Sequence, residues 1–205
     1  MQFLLESIRE LSSNLASLGS RLICVSGPSV TLMPELVKRW GITRVVAHRW
    51  TEPFGRTRDA RIAESLSVPM TLYEGETLHP PGTLRTGKGT PYSVFTPFSR
   101  ALRKAARISE PLPKPKGLGA VPSVAMKDNE EIPCLETLGI SRNPHLQAGG
   151  ESAAGARLKL FLEQRVGTYC VGRDQLGEPA TSRLSADIKF GTLSVRTIWR
   201  SVEEL

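Results

Sequence analysis

Residues 43–75, TRVVAHRWTEPFGRTRDARIAESLSVPMTLYEG, decide the fold class of this chain. Two short apolar runs, at 43–48 and 68–75, flank a segment at 57–66 that has apolar residues at helical spacing. A helix that links two strands must travel back along the sheet, so this order predicts parallel pairing of the strands. We therefore expect an α/β architecture.

The residues before this stretch extend the alternating pattern. RLICVSG at 21–27 predicts a third buried strand, and PELVKRWG at 34–41 predicts a short helix with Pro34 near its start. The continuous apolar character of 22–25 and 45–47 fits strands that are covered on both faces. Three strands are few for a parallel sheet of this type, which indicates that the sheet is incomplete.

An amphipathic helix is predicted at the start of the sequence, ended by Gly19. Its apolar residues recur every three or four positions and so share one face. They are Leu4, Ile8, Leu11, Leu15 and Leu18.

A helix after the strand at 68–75 is predicted to start with Thr96 as its cap and Pro97 at its first position, and to end near Arg107. The following residues, 108–150, contain six prolines and five glycines without sustained periodicity, which is typical of an interdomain linker. We therefore predict an α/β domain over residues 1–107, a linker over 108–150 and a helical domain over 151–205.

Three helices are predicted in the last part of the chain. The first starts at Glu151 and ends before Gly172, the second lies near 182–189, and the third is capped by Ser194 and runs to Leu205.

The composition limits the classes of function. The chain has 27 basic and 20 acidic residues, a surplus that suits a polyanion such as nucleic acid or simply a solvated surface, and both interpretations stay open. The three cysteines and three histidines are scattered, so we expect neither a metal site nor a disulfide framework. Neither a secretory signal nor a membrane-spanning run is evident, so a cytoplasmic location is expected.

One stretch identifies a family. GTLRTGKGTPYSVFTPFSR at 82–100 resembles the segment that closes the N-terminal domain of DNA photolyases and cryptochromes. The resemblance covers the PG turn at 81–82 and the PY-x-VFTPF-x-R core at 91–100. It implies a Rossmann-like parallel sheet domain, incomplete in this chain, followed by the start of an all-helical FAD-binding domain.

A second stretch carries the chemistry. In YCVGRDQLGEPATSRLSADIKFGTLSVR at 169–196, the segment TSRLS at 181–185 offers clustered hydroxyls and the charge of Arg183 at a helix start, which suits a phosphate. Hydroxyl side chains at a helix start more often serve as caps, and Tyr169 could equally be a core residue. Both alternatives stay open from the residues alone.

The second stretch resembles the first flavin-binding segment of the same family. The resemblance implies contacts to the phosphates and backbone of FAD from one group of residues and a DNA contact from Arg173. The implied FAD contacts are Tyr169, Thr181, Ser182, Arg183, Leu184 and Ser185. No catalytic residue is predicted.

The family reaction is light-driven, FAD-dependent repair of pyrimidine dimers in DNA, with the damaged bases flipped into the site. The resemblance implies this function for the protein and damaged DNA as its partner, with the chain alone expected to be a truncated and inactive form. A cryptochrome-type blue-light photoreceptor and a non-catalytic photolyase remnant are the alternatives. Members of the family with a folate antenna carry an Asn-Glu pair where this chain has Phe54 and Gly55, so the antenna chromophore is left open.

Overall fold

The computed structural model describes residues 1–105 and 107–205. Ala106, inside the helix predicted to end near Arg107, lies outside the described residues. The elements in chain order are α1 (Gln2–Ser17), α2 (Ser29–Trp40), β1 (Val45–His48), α3 (Pro53–Ser65), β2 (Met70–Tyr73), α4 (Phe95–Ala105), α5 (Ser123–Met126), α6 (Glu151–Gln164), α7 (Tyr169–Gly172), α8 (Ser185–Phe190) and α9 (Val195–Glu203).

The chain forms two compact units. The α/β unit comprises Gly27–Pro111, and the helical unit comprises Met1–Ser26 together with Leu112–Leu205. Part of the predicted linker packs within the helical unit, because the N–H of Leu118 donates to the carbonyl of Leu18 at 2.8 Å. The domain limits at 107 and 150 stay a prediction.

The α/β unit has a two-stranded parallel sheet. β1 pairs with β2 in the register Val45 to Met70 and His48 to Tyr73, and α3 forms the crossover between them. The prediction of parallel α/β pairing is confirmed. The helices α2 and α3 pack against each other and bury Leu36, Val37 and Ile62.

The helices of this unit start earlier than predicted. α2 starts at Ser29, so that Pro34 lies inside the helix, and it ends as predicted before Gly41, whose φ is +65°. α4 starts at Phe95, which puts Thr96 inside the helix and rules it out as the cap. Pro97 is still in the first turn, where its missing N–H leaves no helical hydrogen bond unmade.

The predicted third strand at 21–27 is wrong, because these residues adopt no regular secondary structure in the structure. Their backbone N–H and carbonyl groups form hydrogen bonds with residues 129 and 130 instead of with a neighbouring strand. Cys24 donates its N–H to Asn129 and accepts from the N–H of Glu130, while Ser26 donates both its N–H and its hydroxyl to the Glu130 carboxylate. These hydrogen bonds from Ser26 hold the pKa of Glu130 below its ordinary value.

The expectation that the strands are covered on both faces is also wrong. Val46 is 59% exposed, whereas Val45 and Ala47 on the opposite face are half-buried. Alternate residues of a strand point to opposite faces, so one face of β1 is open.

α1 buries a different side from the one that its apolar spacing predicts. Gln2 and Leu5 are buried, while Leu11, on the predicted apolar face, is 41% exposed. This side of α1 is buried because its polar residues Gln2 and Glu6 form hydrogen bonds with the chain just before α6.

The predicted helix from 151 to 172 is broken. α6 ends at Gln164, Arg165 leaves the helical region with φ −129°, and a 3₁₀ turn at Val166–Thr168 leads into the four-residue α7. The last two helices are present as predicted, as α8 and α9. Ser194 caps α9, since its hydroxyl accepts from the N–H of Arg196.

Two features are absent from the described residues. Across residues 1–105 and 107–205, no helix has the length and apolar character needed to cross a membrane. In the same residues, no group of three or more His, Cys, Asp or Glu side chains is arranged to hold a metal ion.

Candidate functional site

A buried ion pair fixes the position of α8. Arg157 on α6 donates from Nε and Nη2 to the two carboxylate oxygens of Asp187, at 3.0 and 2.6 Å. Asp187 is fully buried and also accepts from the hydroxyl of Thr192 at 3.0 Å. Two parallel hydrogen bonds between charged groups are strong and directional. The start of α8 is therefore held firmly against α6.

The chain reverses direction immediately before α8. Arg183 has φ 54°, in the left-handed region that residues other than glycine rarely adopt. This conformation lets Leu184 enter the core, where it is 2% exposed, while Arg183 stays at the surface. A left-handed residue of this kind costs about 1–3 kcal/mol and persists only where the surroundings impose it.

The hydroxyls of the TSRLS segment do not cap α8. Leu184 occupies the cap position, and no side chain makes a cap hydrogen bond there. Within the described residues, the hydroxyls of Thr181, Ser182 and Ser185 have no hydrogen-bond partner, and the Arg183 guanidinium forms no ion pair. The segment thus presents unused donors and one uncompensated positive charge to solvent.

Part of this segment lines an open cleft of about 430 Å³. Thr181, Arg183 and Ser185 line one side of it, together with Ala186. Residues 145–147, in the chain before α6, also line the cleft. Among the described residues that line the cleft, none is acidic. The cleft is suited to an anionic group.

The other predicted site residues are not among the described residues that line the cleft. Ser182 is half-buried, and Leu184 has its side chain in the core. Tyr169, at the start of α7, packs edge-on against Phe161 with the ring centroids 5.8 Å apart, and it remains 37% exposed. Arg173 follows α7 and lies 3.7 Å from the carboxylate of Asp174.

α7 and the TSRLS segment are close in space. A Cβ on Gly172 would overlap the side chain of Ala180, so the loop 172–180 closes on itself. Arg165, between α6 and α7, donates to the carbonyl of Thr181 at 3.4 Å. The structure thus brings Thr181, Arg183 and Ser185 into one cleft and places α7 beside the segment.

The segment around residues 145–147 of the cleft lining is anchored by α1. Gln2 exchanges two hydrogen bonds with the backbone of Asn143, and the N–H of Gly149 donates to Glu6 at 2.9 Å. The N–H of Gly150 donates to the hydroxyl of Ser7 at 3.0 Å. One side of α1 therefore hydrogen-bonds to three peptide groups of this loop, at both ends of residues 143–150.

Both glycines of the loop are required by this close approach. A Cβ on Gly149 would overlap the carbonyl of Phe3 and lie 2.6 Å from the Ser7 hydroxyl. Gly150 has φ +104°, a conformation that L residues rarely adopt.

Comparison with known sequences identifies the family. The profile of the family described as DNA photolyase matches residues 1–116, more than half of the chain. The chain belongs to the DNA photolyase family. The TSRLS segment lies beyond the residues matched by this profile.

Individual members of the family extend the likeness over nearly the whole chain. It is 31% identical to a deoxyribodipyrimidine photo-lyase of Synechococcus sp., covering 95% of this chain and 42% of the relative. It is also 31% identical to an uncharacterized 31.6 kDa protein of Synechococcus sp., covering 98% of this chain and 72% of that protein. This chain thus spans less than half the length of the curated photolyase that it matches.

A solved structure agrees with the fold. A bacterial class III photolyase from Agrobacterium tumefaciens superposes with a TM-score of 0.84 at 29% sequence identity, over 98% of this chain and 43% of that chain. The family resemblance drawn from residues 82–100 and 169–196 is confirmed at the level of the family.

Several residues of the site carry no local signal in the sequence. Arg157 and Asp187 lie 30 positions apart, so their pairing cannot be found from helical periodicity. His145 and Gln147, which line the cleft opposite TSRLS, fall in a segment interpreted as a linker. The glycine pair at 149–150 is a local sign in the sequence that this loop packs closely against another element, since glycine allows the backbone to approach closely.

Proposed function

We propose that this chain binds the diphosphate of FAD with its TSRLS segment, as part of a protein that carries out light-driven repair of pyrimidine dimers in DNA. The observation that supports the proposal is the set of unpartnered donors at 181–185 beside a cleft with no acidic residue in its described lining.

The donor set fits a diphosphate. The hydroxyls of Thr181, Ser182 and Ser185 can donate to phosphate oxygens, and Arg183 adds a permanent positive charge. α8 has only six residues, so the side chains rather than a helix dipole carry the attraction. Asp187 does not oppose an anion, because Arg157 neutralises its charge.

The neighbouring elements have further roles in this proposed function. FAD, when bound, supplies the light absorption and the electron transfer of the family reaction. Tyr169 would contact the backbone of the dinucleotide, Leu184 would contribute through its main chain, and Arg173 would contact DNA. The α/β unit would correspond to a Rossmann-like N-terminal domain, and residues 151–205 to the start of the helical flavin domain.

The affinity expected of the 205-residue chain is low. Hydrogen bonds to phosphate contribute about 0.5–3 kcal/mol each, and association costs at least about 4 kcal/mol. Among the described residues that line the cleft, none is Phe, Tyr or Trp, so the large rings that would stack most strongly on the flavin or adenine are missing there. A Kd of about 1 mM, which corresponds to roughly −4 kcal/mol, is expected.

The test is a titration of FAD into the 205-residue chain, followed by NMR. The double variant Thr181→Ala with Ser182→Ala should raise the Kd about tenfold. A matched control removes one threonine and one serine hydroxyl elsewhere in the helical unit, as Thr197→Ala with Ser201→Ala on α9, and should leave the Kd unchanged. Equal affinities in all three proteins would refute the assignment of 181–185.

The repair activity needs its own measurement. Dimer-containing oligonucleotide, FAD and the chain are mixed under blue light, and the loss of dimers is compared with a dark control. Light-dependent loss would support the repair function. Flavin binding without loss is the result expected if the 205-residue chain alone is a truncated and inactive form.

A further inference from the structure

We propose that the loop before α6 supplies a second wall of the diphosphate site, in which His145 and Gln147 bind the phosphate groups opposite TSRLS. The inference rests on the proposed function, because it assigns new ligand-binding residues to the same cleft. It concerns a segment that the sequence indicates only as linker.

The first support is position. His145, Leu146 and Gln147 line the cleft whose other side is formed by Thr181, Arg183 and Ser185. A ligand that reaches the hydroxyls of 181–185 from this cleft therefore also meets the loop.

The second support is chemistry. The described structure gives the imidazole of His145 and the amide of Gln147 no hydrogen-bond partner within the chain. An imidazole N–H and a carboxamide NH₂ are both donors to phosphate oxygens. Together with Arg183 and the hydroxyls, they give the cleft donors on two sides, as a group with several acceptor oxygens requires.

The third support is that hydrogen bonds hold this loop in place before any ligand binds. The N–H of His145 donates to the side chain of Asn143 at 2.9 Å, and the backbone of Asn143 exchanges two hydrogen bonds with the side chain of Gln2. Glu6 and Ser7 hold the next peptide groups at Gly149 and Gly150. A loop fixed at both ends of the 145–147 segment loses little conformational entropy on binding.

The chain allows a direct test, because it has only three histidines. His48 and His79 lie in the α/β unit, so their imidazole NMR signals are internal controls. Titration with FAD or ADP should shift the His145 signals and leave the other two in place. Riboflavin, which has no phosphate, should not shift them. A riboflavin response equal to that of FAD would overturn the assignment to phosphate.

Variants complete the test. His145→Ala and Gln147→Ala should each raise the Kd for FAD about three- to tenfold, and His145→Gln, which keeps a donor, should recover part of the affinity. The control Gln164→Ala, at the end of α6 and outside the cleft lining, should bind as wild type does. Circular dichroism should show all variants folded, since His145 is exposed.

The two proposals fail in different ways. If FAD binds, and if Thr181→Ala with Ser182→Ala weakens binding while His145→Ala and Gln147→Ala do not, the second wall is refuted and the flavin site stands. If the Thr181 and Ser182 variant also binds as wild type does, or if FAD does not bind, the proposed function is refuted and this inference with it.

Discussion

Arg157 and Asp187 form two parallel hydrogen bonds, of 3.0 and 2.6 Å, between the middle of α6 and the first turn of α8. The Arg157 side chain is 17% exposed and that of Asp187 is fully buried. The guanidinium also lies over the ring of Phe3, 6.0 Å from its centroid, and Phe3 packs against Phe190. One ion pair therefore ties together α1, α6 and α8, and with them both walls of the cleft.

Asp187→Asn should destabilise the helical unit by about 3 kcal/mol, because it leaves the charge of Arg157 buried without a counter-ion. Chemical denaturation measures the change. The control is Glu163→Gln, which breaks the exposed Lys159–Glu163 pair of α6 at 3.8 Å and should cost less than 1 kcal/mol. Equal effects of the two variants would show that the buried pair contributes no more than a surface one.

Arg183→Gly should separate stability from binding. Glycine adopts φ 54° without strain, so the free energy of unfolding should stay constant or rise by up to about 1 kcal/mol. FAD affinity should fall several-fold, because the positive charge at the cleft is lost. Thermal melts and FAD titrations of the same variant give the two quantities. A fall in both would mean that the Arg183 side chain supports the fold.

Gly55→Ala tests the packing of Trp50. A Cβ at position 55 would overlap the indole ring and lie 2.8 Å from the Trp50 Cβ, which cannot move without the backbone. Alanine favours a helix by about 1 kcal/mol over glycine, but overpacking costs about 1–3 kcal/mol, so the net effect should be destabilising. Gly87→Ala, where a Cβ meets no atom within 4 Å, should be close to neutral. A Gly55→Ala protein as stable as wild type would contradict the close contact.

Lowering the pH should weaken the contact between Ser26 and Glu130. The hydrogen bonds from Ser26 lower the pKa of Glu130 in the folded protein. A carboxyl with a depressed folded pKa contributes its stabilisation above the ordinary glutamate pKa and loses it as the pH falls through the lower, folded value. The protection of the Ser26 amide against exchange, relative to the rate of an unprotected amide at the same pH, should therefore fall over this acidic window in wild type. In Glu130→Gln the same amide should show no such step, and a step of equal size there would exclude Glu130 as its source.

Arg173→Ala tests the proposed DNA contact. Binding to irradiated duplex DNA should weaken two- to fivefold at low salt, and the slope of log K against log salt should fall by about 1. Fluorescence anisotropy at several salt concentrations measures both. Arg142→Ala removes another exposed arginine of the helical unit, whose side chain is 66% exposed, and should leave the slope closer to wild type. Identical slopes for the two variants would indicate non-specific attraction only.

Local patterns predicted the elements that depend on local physics. The order strand, helix, strand over 43–75 predicted the parallel pairing of β1 and β2, and Ser194 was correctly predicted as the cap of α9. The family resemblance was available from residues 82–100, because its turn and helix-start residues lie close together in the sequence.

The errors arise where distant residues compete with local patterns. The run at 21–27 has the composition of a strand, yet Asn129 and Glu130 take its hydrogen bonds. α1 has an apolar stripe, yet its polar side makes the contacts with the loop before α6. The ion pair of Arg157 and the wall at 145–147 depend on the same kind of long-range contact, which neither spacing nor propensity records.

The hydrogen bonds between α1 and the loop before α6 have a consequence for biosynthesis. They join residues separated by 141 to 143 positions. At about 5–20 residues per second, α1 is made on the order of ten seconds before the segment that it holds. Contacts of such long separation also form late in folding, because loop closure must precede them. The part of the cleft at 145–147 is therefore expected to take its final shape only after helices that depend on local contacts have formed.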